Sequence, residues 1–96
     1  MSRYAQFDED GNQYQFASNL GFSEFGDWIE TLDEKDFPAL YELWETGSTQ
    51  DIKGATSQLE KALKENSPSE NVEASAELLL TGLHSNQDSN TLLITQ

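Results

Sequence analysis

The sequence predicts a small α+β domain: an N-terminal β-hairpin, four short helices, and a C-terminal strand joining the hairpin in a small antiparallel or mixed sheet. Three observations lead there. Apolar and polar residues alternate on both sides of Asp10-Gly11, a pair suited to a type I′ turn because both central residues need positive φ. Four later segments carry apolar residues at helical spacing, punctuated by capping residues, proline and glycine. The chain then ends on Thr91-Leu92-Leu93-Ile94-Thr95, short, apolar and partly β-branched.

The hairpin is expected over residues 3–18. A turn at Asp10-Gly11 sets Phe7 opposite Tyr14 and Ala5 opposite Phe16, all on one face. Gln6, Asp8, Gln13 and Gln15 fall on the other. Ser18 to Gly21 reads as a connecting loop, with Gly21 supplying a positive φ. Ser23 is the expected cap of a first helix over 23–32, with Phe25, Trp28, Ile29 and Leu32 inward. Gly26 lies inside that helix, where close packing against the hairpin would account for it.

Asp33 to Asp36 forms an acidic bend. Asp36 is placed to cap a second helix over 37–46, with Pro38 in its first turn and Gly47 as a left-handed stop. Phe37, Leu40, Tyr41 and Trp44 make its inward stripe. A third helix is expected over 49–65, with Ser48 and Asp51 as a capping box and Ile52, Ala55, Leu59, Ala62 and Leu63 inward. Ser67, Pro68 and Glu70 mark the start of a fourth, over 68–84, with Val72, Ala76, Leu79, Leu80 and Leu83 inward. The final strand, 91–95, is expected to pair with the hairpin, because three large aliphatics at a free end would make an exposed sticky segment.

The two halves are unequal. All ten aromatics lie between Tyr4 and Trp44, so an aromatic wall from the first half faces an aliphatic wall from the second. With 96 residues, this fits one small domain, 1–96, with one modest core. The organising stretch is Ser23 to Gly47, which holds both tryptophans and a dense set of carboxylates.

Eighteen acids against five bases give a net charge of −13. That charge repels nucleic acid and anionic lipid, leaving basic proteins as natural partners. The absence of cysteine rules out a disulfide framework and suits a cytoplasmic protein. The N-terminus lacks the apolar core of a signal peptide, and no apolar run is long enough to span a bilayer.

Chemistry-bearing motifs fail on their spacing. Asp8, Asp10 and Asn12 match the start of a calcium loop, but Gln13 and Asn19 stand where glycine and the bidentate glutamate belong. Gly21 to Gly26 has the glycine spacing of a phosphate loop, with Asp27 and Trp28 in place of lysine and serine or threonine. His84, the only histidine, reads as a solvent-facing residue at a helix end. No cofactor, metal or enzymatic activity is expected.

The remaining signal is a face of carboxylates opposite the apolar stripes. It comprises Glu24, Asp27, Glu30, Asp33, Glu34, Asp36, Glu42 and Glu45. Carboxylates three or four residues apart on a helix lie about 5–6 Å apart, comparable to neighbouring phosphates on a nucleic-acid strand. The function expected from this face is non-enzymatic: docking on a basic, nucleic-acid-binding protein surface as an inhibitor or nucleic-acid mimic. The alternatives are an adaptor binding through an apolar groove or sheet edge, and a ligand-free domain that dimerises.

Overall fold

The computed structural model describes residues 2–9 and 11–96. Strand β1, Ser2–Phe7, pairs with β2, Gln13–Ser18, as an antiparallel hairpin. The expected Asp10-Gly11 turn includes Asp10, which lies outside the described residues. The register differs from expectation: Ala5, not Phe7, faces Tyr14, and the Phe7 N–H donates to the Asn12 carbonyl at 3.0 Å. The slip is two residues, so side-chain parity survives, and Ala5, Phe7, Tyr14 and Phe16 still share the inner face. A bulge breaks the ladder between Arg3 and Tyr4 and inserts Phe16 as the extra residue. Phe16 and Ala17 are consecutive yet both buried, which the bulge permits and regular alternation would forbid.

Helix α1, Asn19–Ile29, follows β2 without a loop. Ser18 is its cap, accepting a hydrogen bond from the Gly21 N–H at 3.0 Å. The expected loop at 18–21 is therefore the first helical turn, Ser23 lies inside the helix, and Gly21 has no positive φ. The helix ends earlier than expected, but Leu32 still reaches the core through a following turn, its N–H bonded to the Ile29 carbonyl.

Helix α2, Pro38–Thr46, begins at the predicted proline. Its cap is Phe37, which offers no side-chain oxygen, and Asp36 does not serve. The side chain of Gln58 does the capping from elsewhere in the chain, accepting from the Ala39 and Leu40 N–H groups at 2.9 and 3.3 Å. Gly47 stops the helix at φ 81, as expected. The inward stripe differs in part. Ala39 and Leu43 are buried with Phe37 and Leu40, whereas Tyr41 and Trp44 are only partly covered.

Ser48–Thr49 forms the short strand β3 rather than a capping box. Helix α3, Ile52–Glu65, is capped by Asp51, which accepts from the Gly54 N–H at 2.9 Å. Helix α4, Glu70–Ser85, is capped by Ser69, so the expected Ser67-Pro68 start lies upstream of the helix. Strand β4, Leu92–Thr95, pairs antiparallel with β1 and β3, completing the sheet order β2-β1-β4-β3. Asp8 fastens this closure. It adopts φ 65, and its carboxylate accepts from the Asn90 and Thr91 N–H groups at 2.8 and 3.2 Å.

Helices α1 and α4 pack against the hairpin side of the sheet, α2 packs against β3 and β4, and α3 packs on α4 and α2. The predicted aromatic and aliphatic walls meet in one core cluster. Phe16, Phe22, Phe25, Trp28 and Trp44 make a linked run of rings, with Phe22 and Trp44 centroids 5.1 Å apart. Gly26 makes that run possible. A Cβ there would overlap the Trp44 indole, so its close packing is against α2, not against the hairpin. The Trp28 Nε1–H donates to the Asn66 carbonyl at 2.8 Å and ties α1 to the end of α3. Among the described residues no helix is long and apolar enough to cross a membrane.

Candidate functional site

The acidic bend turns on itself because Asp33 supplies the acceptors. Its carboxylate takes the Lys35 N–H at 2.9 Å, and its carbonyl takes the Asp36 and Phe37 N–H groups at 3.0 and 3.1 Å. The turn lays residues 33–35 alongside the first two turns of α2. Between them lies a groove of about 540 Å³, lined by Asp33, Glu34, Lys35, Pro38, Tyr41, Glu42, Glu45 and Thr46. Glu42 and Glu45 project from one face of α2, together with Pro38 and Tyr41, because residues three and four apart stack on a helix.

Tyr41 organises the groove. Its hydroxyl donates to the Leu32 carbonyl at 2.7 Å and lies 3.2 Å from the Glu30 carbonyl oxygen. That anchors the ring across the bend. Partial burial, followed by the charges of Glu34, Glu30, Asp33 and Glu45, raises the phenol above its ordinary value of 10.0. The tyrosine thus registers four carboxylates converging from α1's end, the bend and α2.

The eight expected residues do not form one face. Asp33, Glu34, Glu42 and Glu45 line the groove, and Glu30 stands beside it through Tyr41. Glu30 also accepts from the Trp44 Nε1–H at 2.9 Å, so it helps hold α2 against α1. Asp36 lies on the bend but outside the groove lining. Glu24 sits apart, in a depression of about 310 Å³ shared with Leu20, Asn71 and Ser75. Asp27 is exposed on α1 and lines neither cavity.

Among the described residues, the one contact within 4.0 Å between a basic side chain and a carboxylate joins His84 Nε2 to Glu60 Oε2, at 3.4 Å between exposed groups on α4 and α3. None of the eight acids has a cationic partner within that reach, and the carboxylates of Glu34, Glu42 and Glu45 accept no hydrogen bond from the described residues, although the Glu42 carbonyl accepts one from the Thr46 hydroxyl. Their charge faces solvent uncompensated, apart from Lys35 in the same lining. The groove residues outside the expected set are Lys35, Pro38, Tyr41 and Thr46, of which Pro38 and Tyr41 supply its apolar surface. Tyr41 reads as core by spacing, yet its hydroxyl requires a polar neighbourhood at one end of the ring. That requirement is the signal that places it at the rim of the core.

No group of three or more histidine, cysteine, aspartate or glutamate side chains among the described residues is arranged to hold a metal ion. The Asp8 carboxylate is engaged with Asn90 and Thr91, and Gly21 and Gly26 lie within α1 rather than in a phosphate-binding loop. The chain matches no protein-family model, no curated protein and no solved structure.

Proposed function

We propose that this protein is a non-enzymatic interaction domain that docks through the groove between the acidic bend and α2 on a basic, nucleic-acid-binding protein surface. It acts there as an inhibitor that takes the place of nucleic acid. The observation carrying this reading is the convergence of Asp33, Glu34, Glu42 and Glu45, with Glu30 adjacent, around the partly covered ring of Tyr41. Carboxylates imitate the charge of a phosphate strand. The tyrosine and proline offer an apolar surface on which an arginine guanidinium stacks while its N–H fork meets carboxylate oxygens. Direct binding to nucleic acid or anionic lipid is disfavoured by the net charge of −13. A cysteine-free chain fits a reducing, cytoplasmic setting.

Charge reversal tests the reading. Glu34→Lys/Glu42→Lys/Glu45→Lys leaves the packing contacts of Glu30 and Asp33 intact, so the domain is expected to fold. Affinity capture followed by mass spectrometry should recover basic proteins with the native chain at low salt, fewer at moderate salt, and none with the triple variant. Equal recovery by the variant would end this reading.

A further inference from the structure

The charge that covers most of the chain is absent from one place. Residues 11–23 form the longest stretch without an acid or base, and they contain the whole of β2. That strand is an edge of the sheet. Natural edges are blunted by lysine, proline, shortness or a covering element. The opposite edge, β3, is only 2 residues long. By contrast β2 runs for 6 residues with neither lysine nor proline, and its bulge lies at Phe16, toward its C-terminal end.

Its open peptide groups can be assigned. Phe7 and Asn12 form a hydrogen-bonded pair, so by antiparallel alternation Ala5 and Tyr14 do too. Gln13 and Gln15 then turn their N–H and C=O groups away from β1. Among the described residues no other backbone or side-chain group bonds to those peptide groups. The side chains of both glutamines lean back toward β1, where Gln13 Nε2 donates to Gln6 Oε1 at 2.8 Å and Gln15 Nε2 donates to Ser2 Oγ at 2.8 Å. They leave their own edge uncovered, and their amides are already engaged.

We propose that β2 pairs antiparallel with β2 of a second copy of this chain, about a two-fold axis through Tyr14. Gln13 then faces Gln15 of the other copy, with a mutual pair of backbone hydrogen bonds on each side of the axis, and the two sheets become one. A second copy is the fitting occupant on grounds of charge. Two chains of −13 repel wherever carboxylates meet, and β2 itself brings none to the contact. The pairing strand is short, so the contact belongs among the smaller interfaces, below about 1,200 Å², and the dimer exchanges rapidly. Because β2 lies at the edge opposite β3, against which α2 packs, pairing leaves the acidic groove of each copy open. The dimer would present two grooves.

Sedimentation equilibrium of the full chain, from micromolar to millimolar, reads the association. Amide hydrogen exchange at the same concentrations reads its location. The native chain is expected to dimerise, more tightly as salt screens its charge. The amides of Gln13 and Gln15 should slow as concentration rises. Gln13→Glu/Gln15→Glu places like charges directly opposite across the axis, and dimerisation should weaken at least about fivefold. Gln50→Glu/Ser67→Glu, with the same added charge on other exposed positions, should dimerise as the native chain does. The proposal is overturned if the native chain stays monomeric at millimolar concentration, including the case where only a foreign extended peptide slows those amides. A dimer whose Gln13 and Gln15 amides exchange as in the monomer, or one indifferent to the paired glutamates, overturns it equally.

Discussion

Tyr41 is the residue through which the groove can be read. Its phenol is raised above 10.0 by partial burial and by Glu34, Glu30, Asp33 and Glu45, so the folded state holds the phenolic proton more tightly than the unfolded chain. Folding is therefore indifferent to this group below the ordinary phenol pKa and is opposed as pH rises through that value toward the raised one. A difference absorbance titration between the native chain and Tyr41→Phe should show the raised midpoint. Glu34→Gln/Glu45→Gln should move it down, and an unmoved midpoint would mean that these carboxylates do not converge on the ring. Asp8 is the second telling residue. Asp8→Ala removes the acceptor for Asn90 and Thr91 and puts a less tolerant residue at φ 65. A loss of about 1–3 kcal/mol is expected in urea unfolding, with Asp8→Asn losing less because it keeps an acceptor and tolerates that φ. Periodicity placed most core residues of α1, α3 and α4 correctly because they sit on regular helices, although Leu63 and Leu80 are only partly buried and Leu32 reaches the core from beyond the end of α1. It misplaced Tyr41 because spacing alone ignores the polar end of the ring.

At the scale of elements, the hairpin, the four helices and the final strand were legible in the sequence, whereas β3 was not, and of the helices only α2 started where it was expected to. Ser18, Asp51 and Ser69 cap α1, α3 and α4, while Ser23, Ser48 and Ser67 do not. All six satisfy the same local rule, and tertiary packing selects among them. The cap of α2 was beyond any local rule, because Gln58 reaches it from α3. The hairpin register slipped for a related reason. A two-residue shift preserves which face is buried, so the apolar pattern cannot distinguish the registers. Gly26 shows an element-level constraint that a propensity scale inverts. On an exposed helix Gly26→Ala would stabilise by up to about 1 kcal/mol. Here the new methyl meets the Trp44 ring, and a net loss of about 1–3 kcal/mol is expected. In a Trp44→Leu background the same change should become neutral or stabilising. A double-mutant cycle followed by thermal unfolding checks the coupling, which is absent if the two effects simply add.

Over the whole molecule, the net charge of −13, with no lysine or arginine within 4.0 Å of a carboxylate among the described residues, means that carboxylates repel with little internal compensation. Screening should therefore stabilise the fold, and differential scanning calorimetry should show the melting temperature rising from low to moderate sodium chloride. A falling melting temperature would contradict that balance. The same charge explains why the acidic face was visible in the sequence, and the topology explains why only part of it gathers. Residues 33–35 and α2 are brought together by a turn, whereas Glu24 lines a separate depression and Asp27 lines neither. The direct test of the account is competition for a shared surface. A basic protein captured by the native chain at low salt is held on resin and challenged with duplex DNA, and the bound fraction is measured. Displacement by DNA, together with no capture by Glu34→Lys/Glu42→Lys/Glu45→Lys, is the predicted result. Retention of the partner at saturating DNA, or undiminished capture by the variant, would contradict it.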